Sequence, residues 1–228
     1  MNKKWGLRIS TVIFLIITLM INGLSNTDVF PNTVRDISDK RALLFLPDGY
    51  VFAIWGVIYT GLIGYAIYQM RSIALENGVV DRVGFWFIIN LIANSLWIIV
   101  FVNDIVWVST ILIIIMLITQ LIIYNRLEIG KRKIDWQERW AVQIPFSVYT
   151  GWVTVATVAN ISTQLYNWNN VFSFIGINAD IWASILILIA GGIGIAFLYF
   201  RRDIAYALVV VWATYGIYAR PFDTDFYQ

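Results

Sequence analysis

The sequence predicts an all-α fold, a polytopic helical bundle embedded in a membrane, and three observations predict it. Hydrophobic residues make up 60% of the chain and charged residues only 13%, where a soluble domain carries ~45–50% and ~25%. Uncharged windows long enough to cross a ~30 Å hydrocarbon core recur at residues 9–27, 49–70, 83–103, 105–125, 140–163 and 181–200, with a shorter seventh at 204–219. Lys and Arg fall between these windows in an alternating way. The chain contains no cysteine and no histidine. That inventory excludes disulfides, thiol nucleophiles, histidine-ligated haem and a Ser-His-Asp triad. No metal site and no cofactor are expected.

The first window follows Lys3, Lys4 and Arg8. Gly23-Leu24-Ser25 could pass for a signal-peptide cleavage site, but the uncharged run continues to Thr27 and reads as a retained helix. With the N-terminus inside, the inner segments hold Lys3, Lys4, Arg8, Arg71, Arg82, Arg126, Lys131, Arg132, Lys133, Arg139, Arg201 and Arg202. The outer segments hold only Arg35, Lys40, Arg41 and Arg220. The asymmetry orients the chain with the N-terminus in the cytoplasm and the C-terminus outside, in what reads as a bacterial cell membrane. The outer connection 28–47 carries Leu43, Leu44, Phe45 and Leu46. Either it folds onto the membrane surface as a lid, or it is an interfacial anchor.

Span two opens "PDGYVFAIWGVIYTGLIGYA". Tyr50 and Phe52 sit where an interfacial aromatic belt is expected. Trp55 and Tyr59 lie deeper, where a pocket wall explains them better. Gly56, Thr60 and Gly64 form a small-residue stripe, read as a helix-packing face. In span three, Asn90, Asn94 and Trp97 share a face. The two amides need partners in apolar surroundings, either neighbouring helices or a polar-lined cavity. Only Asn103-Asp104 separates spans three and four, which predicts a tight antiparallel hairpin.

In span five, Pro145 removes a backbone donor and predicts a kink near the start. Tyr149, Trp152, Ala156 and Asn160 follow on one face. "TQLYNWNN" (163–170) reads as an interfacial loop. Span six carries "AGGIGIA", read as a packing surface through the small-residue pairs Ala190/Gly194 and Gly192/Ala196. Span seven is shorter, with arginines at both ends to snorkel. No acidic or basic residue sits mid-span, which argues against an ion-coupled pump.

These spans together resemble the TspO/MBR family, the tryptophan-rich sensory proteins related to the translocator protein. The resemblance rests on Pro47, Tyr50, Phe52, Trp55, Tyr59 and Gly64 in span two, and on Asn94 and Trp97 in span three. In span five it rests on Pro145, Trp152, Val153, Ala156 and Asn160. Departures exist. Ala53-Ile54 replaces the family's Pro-Val, the spacing from Phe52 to Trp55 is one residue shorter, and Phe146 replaces a Tyr. The motifs cover roughly residues 1–165, which divides the chain into a TspO-like five-helix unit, 1–165, and two extra transmembrane helices with a short tail, 166–228.

The resemblance implies an aromatic pocket beneath the loop joining helices one and two. In that family porphyrins bind there, and sterols in animal members. It implies a membrane ligand-binding protein of sensory or transport type. The implied ligand-binding residues are Tyr50, Phe52, Trp55, Tyr59, Asn94, Trp97, Tyr149, Trp152, Ala156 and Asn160. Implied partners are a hydrophobic small molecule, with tetrapyrroles the leading class, and the lipid bilayer; no nucleic acid is expected, and a homodimer is left open. A porphyrin-modifying enzyme and an assembly subunit of a membrane complex are the competing readings. The sequence offers the enzyme no ordinary acid, base or nucleophile.

Overall fold

The computed structural model describes residues 3–39, 49–167 and 179–219. Seven apolar helices dominate it: α1 (Lys3–Leu24), α2 (Ile54–Tyr68), α3 (Trp86–Val102), α4 (Val106–Arg126), α5 (Ile144–Asn167), α6 (Ala179–Arg201) and α7 (Ile204–Tyr218). No strand occurs among the described residues. Five of the seven are long and apolar enough to cross a bilayer, α2 only together with the 3-10 turn Gly49–Ala53 that precedes it. The other two, α3 and α7, have 17 and 15 residues, or about 25 and 22 Å at 1.5 Å per residue. The protein is a polytopic helical bundle, as its composition predicts.

Helix contacts define a ring and a flank. Around the ring, α1 packs on α3, α3 on α4, α4 on α5, α5 on α2, and α2 back on α1. On the flank, α7 lies against α5, and α6 lies against both. The face that α1 turns inward is Arg8, Thr11, Leu15, Thr18, Asn22 and Ser25, all at most 9% exposed. Their alternating three- and four-residue spacing is a seam facing neighbours. Thr18 seals it to α3, within 2.9 Å of the Ser95 hydroxyl and donating to the Leu91 carbonyl at 3.1 Å.

The segments counted as inner meet at one end of the bundle. Lys4 pairs with Asp81 at 2.8 Å, and Arg82 with Glu128 at 3.2 Å. Arg126 donates to the Asp81 carbonyl at 2.6 Å, and Arg71 to Gln137 at 3.3 Å. Arg132 pairs with the buried Glu138. Gly130, at φ 78°, lies against the Arg201 carbonyl. A side chain there would collide with that backbone and would also be strained in a left-handed conformation. The α6–α7 hairpin therefore docks on the α4–α5 connection.

At the other end, Asn103 and left-handed Asp104 (φ 64°) turn α3 into α4, the expected tight hairpin. The first half of the long connection between α1 and α2 folds back on this end. Asn32 donates to the Val102 carbonyl at 2.9 Å. Thr33 and Asp36 cap the short helix Val34–Asp39 reciprocally, and its Ile37 is fully buried. Pro47 and the apolar run Leu43–Leu46 lie outside the described residues.

Three expectations need correction. The stripe Gly56, Thr60 and Gly64 does not pack: a Cβ added at Gly56 or Gly64 would meet nothing within 4 Å, and Thr60 is exposed, donating to the Gly56 carbonyl at 2.7 Å. The close approach of α2 is instead at Gly61, where a Cβ would stand 2.9 Å from the Pro145 Cβ. The proline ring occupies space that a glycine leaves open, and this fixes which face of α2 turns inward. Gly61→Ala should therefore cost about 1–3 kcal/mol by overpacking. Gly64→Ala should be neutral or slightly stabilising. Melting temperatures of the two variants in one detergent check this.

The second correction concerns residues 163–167, which continue α5 as helix rather than forming a loop. Thr163 folds its hydroxyl back onto the Ala159 carbonyl at 3.0 Å, so polarity here does not break the helix. Trp168, Asn169 and Asn170 lie outside the described residues. The third concerns "AGGIGIA". Ala190 is buried and Gly194 meets Val210 of α7, but Gly191 and Gly192 have open space beside them. Only the Ala190–Gly194 face packs. The kink predicted at Pro145 takes the form of a π-turn, Arg139–Gln143, immediately before it. The wider turn absorbs the hydrogen bond that the proline cannot donate.

Candidate functional site

Inside the five-helix ring, three helices each present a pair of residues at i, i+3 or i+4, the spacing that puts side chains on one face. They are Trp55 and Tyr59 from α2, Asn94 and Trp97 from α3, and Tyr149 and Trp152 from α5. Trp55 is the hub. It stacks on Tyr59 at 5.3 Å between centroids and 21° between planes. It meets Trp97 at 6.3 Å, and Tyr149 and Trp152 edge-on at 6.0 and 6.2 Å. Phe52 meets Trp152 edge-on at 6.1 Å, and Trp97 stacks on Phe101 at 5.0 Å. Offset stacks and T-shaped contacts of this kind are the favoured aromatic geometries.

A polar relay runs beside the rings. Asn22 of α1 donates to the Asn94 carbonyl oxygen at 2.9 Å, and the Asn94 amide donates to the Tyr149 hydroxyl at 2.9 Å. All three are buried. The relay fixes which end of each amide faces the rings and links α1, α3 and α5.

The donors of the cluster are not all used. The Trp97 and Trp152 indole N–H groups are buried, in residues only 5% and 3% exposed, and neither has a hydrogen-bond partner. The Tyr59 hydroxyl lies near Asn94 without completing a hydrogen bond. Buried polar groups in folded proteins are overwhelmingly paired, and leaving one unpaired costs about 1–3 kcal/mol. Three of the nine buried side-chain atoms without a partner among the described residues, the Tyr59 hydroxyl and the two indoles, stand around this one aromatic hub.

Seven of the ten residues singled out in the sequence meet here: Phe52, Trp55, Tyr59, Asn94, Trp97, Tyr149 and Trp152. Tyr50 instead meets Trp212 of α7 edge-on at 5.5 Å. Asn160 turns toward α4, accepting from Thr110 at 2.7 Å and from Ser109 at 3.3 Å. Ala156 is half-buried against the apolar core. Asn90 serves α4, donating to Thr119 at 2.7 Å and to the Met116 carbonyl at 2.9 Å. Asn22 and Phe101 were not singled out. The signal for Asn22 was its place in the polar seam of α1. For Phe101 it was the i, i+4 spacing from Trp97.

A family model described as TSPO-like protein matches residues 8–226. The match runs on through α6 and α7, past residue 165 where the quoted motifs end. No curated protein and no solved structure matches the chain.

Proposed function

The chain belongs to the TSPO-like family, and from that premise we propose that it is a membrane ligand-binding protein of sensory or transport type. Its aromatic cluster takes a flat hydrophobic molecule such as a porphyrin. The observation that carries this reading is the pair of buried, unpartnered indole N–H groups of Trp97 and Trp152 beside the Trp55–Tyr59 stack. A flat conjugated ligand would stack on the rings, and its polar edge would accept from the idle donors. The Asn22–Asn94–Tyr149 relay would hold the wall rigid while it does so.

On this reading the ligand-bearing unit is residues 1–165, and residues 166–228 form a flank. Binding is tested by titrating the purified protein with protoporphyrin and following tryptophan emission and the Soret band together. Saturable quenching with a shifted Soret band is expected. Linear, non-saturating quenching would mean partition into the micelle and would remove the proposal.

We further propose that the end bearing Arg71, Arg82, Arg126 and Arg132 faces the cytoplasm. In intact cells, single cysteines placed in 127–135 should resist a membrane-impermeant maleimide and react after permeabilisation. Labelling before permeabilisation would reverse the orientation.

A further inference from the structure

A second site lies outside the ring, where α2, α5 and α7 enclose a groove of about 930 Å³. None of the rings that surround Trp55 lines it. Its walls are mainly aliphatic, Ile54 and Val57 of α2, Ile144 and Val148 of α5, Leu208 and Val209 of α7, with Trp140 also on the lining. Val57 and Leu208 are exposed, as is Ile204, so the groove opens sideways toward lipid. One end of it is lined by Arg132, Arg139 and Arg202, on the side where the basic connections meet, and Trp212 lines it farther along α7.

The guanidiniums at that end differ in how they are used. Arg132 is taken by Glu138. Neither the Arg139 nor the Arg202 guanidinium has a hydrogen bond or ion pair among the described residues. Arg202 also holds a left-handed backbone, φ 53°, which disfavours any residue with a Cβ. The Asp203 carboxylate lines the groove too, but it is engaged by Ser147, Tyr124 and the Tyr206 amide. Arg132, Arg139 and Arg202, set against Asp203 and the Glu138 partner of Arg132, leave one net positive charge at this end, with two guanidiniums that have no partner of their own.

From Ile204 to Trp212 is about 12 Å along α7, at 1.5 Å per residue, and Arg202 and Asp203 carry the groove's lining past the start of the helix. Together this is about half of a ~30 Å hydrocarbon core, the depth of one leaflet. An aliphatic groove one leaflet deep, open to lipid and ending in unpaired arginines, matches one chemistry. We propose that it holds an acyl chain of an anionic glycerophospholipid whose headgroup phosphate is bound by Arg139 and Arg202. Guanidinium forks suit phosphate, and basic pockets between membrane helices are where anionic headgroups are retained. Aliphatic walls suit a chain, whereas the aromatic cluster suits a plane.

The test is competitive lipid retention. Purified full-length protein in mixed micelles receives phosphatidylglycerol and phosphatidylcholine at equal mole fraction, and bound lipid is read by native mass spectrometry. The wild type should retain phosphatidylglycerol preferentially. Arg139→Gln and Arg202→Gly should each weaken retention about fivefold, and the double variant about twenty-five-fold. Arg202→Gly suits the existing backbone, so the fold should persist, and an unchanged melting temperature confirms it. Lys133→Gln, an exposed charge on the same connection but not lining the groove, should change nothing. Equal retention of the two lipids, or retention that survives the double variant, would overturn the proposal. So would inorganic phosphate binding alone with the same dependence on both arginines, since the site would then be for free phosphate.

Discussion

Trp152→Ala should weaken porphyrin binding by ten- to a hundredfold. Trp152 is 3% exposed and contributes two things at once: a ring edge-on to Trp55 and Phe52, and an indole N–H with no partner. Stacking on an aromatic side chain is worth ~1–3 kcal/mol per ring in nucleic-acid complexes, and each 1.4 kcal/mol is tenfold. Trp152→Phe keeps a ring and loses the donor, so it should recover the stacking share of the affinity and still fall short of wild type by the lost hydrogen bond, about 0.5–1.5 kcal/mol, or roughly two- to tenfold. The competing explanation is that Trp152 only fills space. Truncation would then cost ~3–5 kcal/mol of stability through the cavity without touching affinity. Measuring melting temperature and porphyrin affinity on the same preparations separates the two. A Trp152→Ala protein that melts early but binds with wild-type affinity assigns the residue to packing.

Asp203→Ala should be the most damaging single change to stability outside the ring. The carboxylate is 6% exposed and joins three helices. It accepts from Ser147 of α5 at 2.6 Å, from Tyr124 of α4 at 2.7 Å, and from the Tyr206 amide of its own α7 at 3.1 Å. Hydrogen bonds to a charged group contribute ~1.5–3 kcal/mol each, and loss of an N-cap costs about 1 kcal/mol. Allowing for relaxation, a loss of about 3–5 kcal/mol is expected. Asp203→Asn keeps the shape and one acceptor and should cost roughly half as much. Porphyrin affinity of the folded fraction should be unchanged, because no residue of the aromatic cluster touches Asp203. A wild-type melting temperature for Asp203→Ala would mean that α7 is seated by apolar packing alone. Gly151, whose Cβ position lies 3.2 Å from Val209, would then carry that contact.

The bundle and the aromatic wall were legible because both rest on local periodicity. A tryptophan and a tyrosine three or four residues apart share a face whatever surrounds them, so Trp55 with Tyr59 and Tyr149 with Trp152 could be paired from the sequence. Amides were less legible. Asn94 and Asn160 look alike in sequence, yet one faces Tyr149 and the other faces Thr110, because an amide turns to whichever helix brings the nearer partner. Glycines behaved likewise. The spacing of Gly56, Thr60 and Gly64 suggested packing, while the contact fell on Gly61, since Pro145 approaches only there. The burial of Asp203 and the arginine-ended groove each need three helices distant in sequence, and no spacing in the chain encodes that.

The central claim is that the idle indoles of Trp97 and Trp152 are ligand donors, and it can be read at those atoms. With the tryptophan ring nitrogens labelled, the two indole N–H resonances are assigned from Trp97→Phe and Trp152→Phe, and protoporphyrin is added. The account predicts that both resonances shift to saturation with one midpoint, while those of Trp140 and Trp212, which line the lipid-facing groove, stay in place. Saturable binding that leaves Trp97 and Trp152 unmoved, or that moves Trp140 and Trp212 instead, would contradict it.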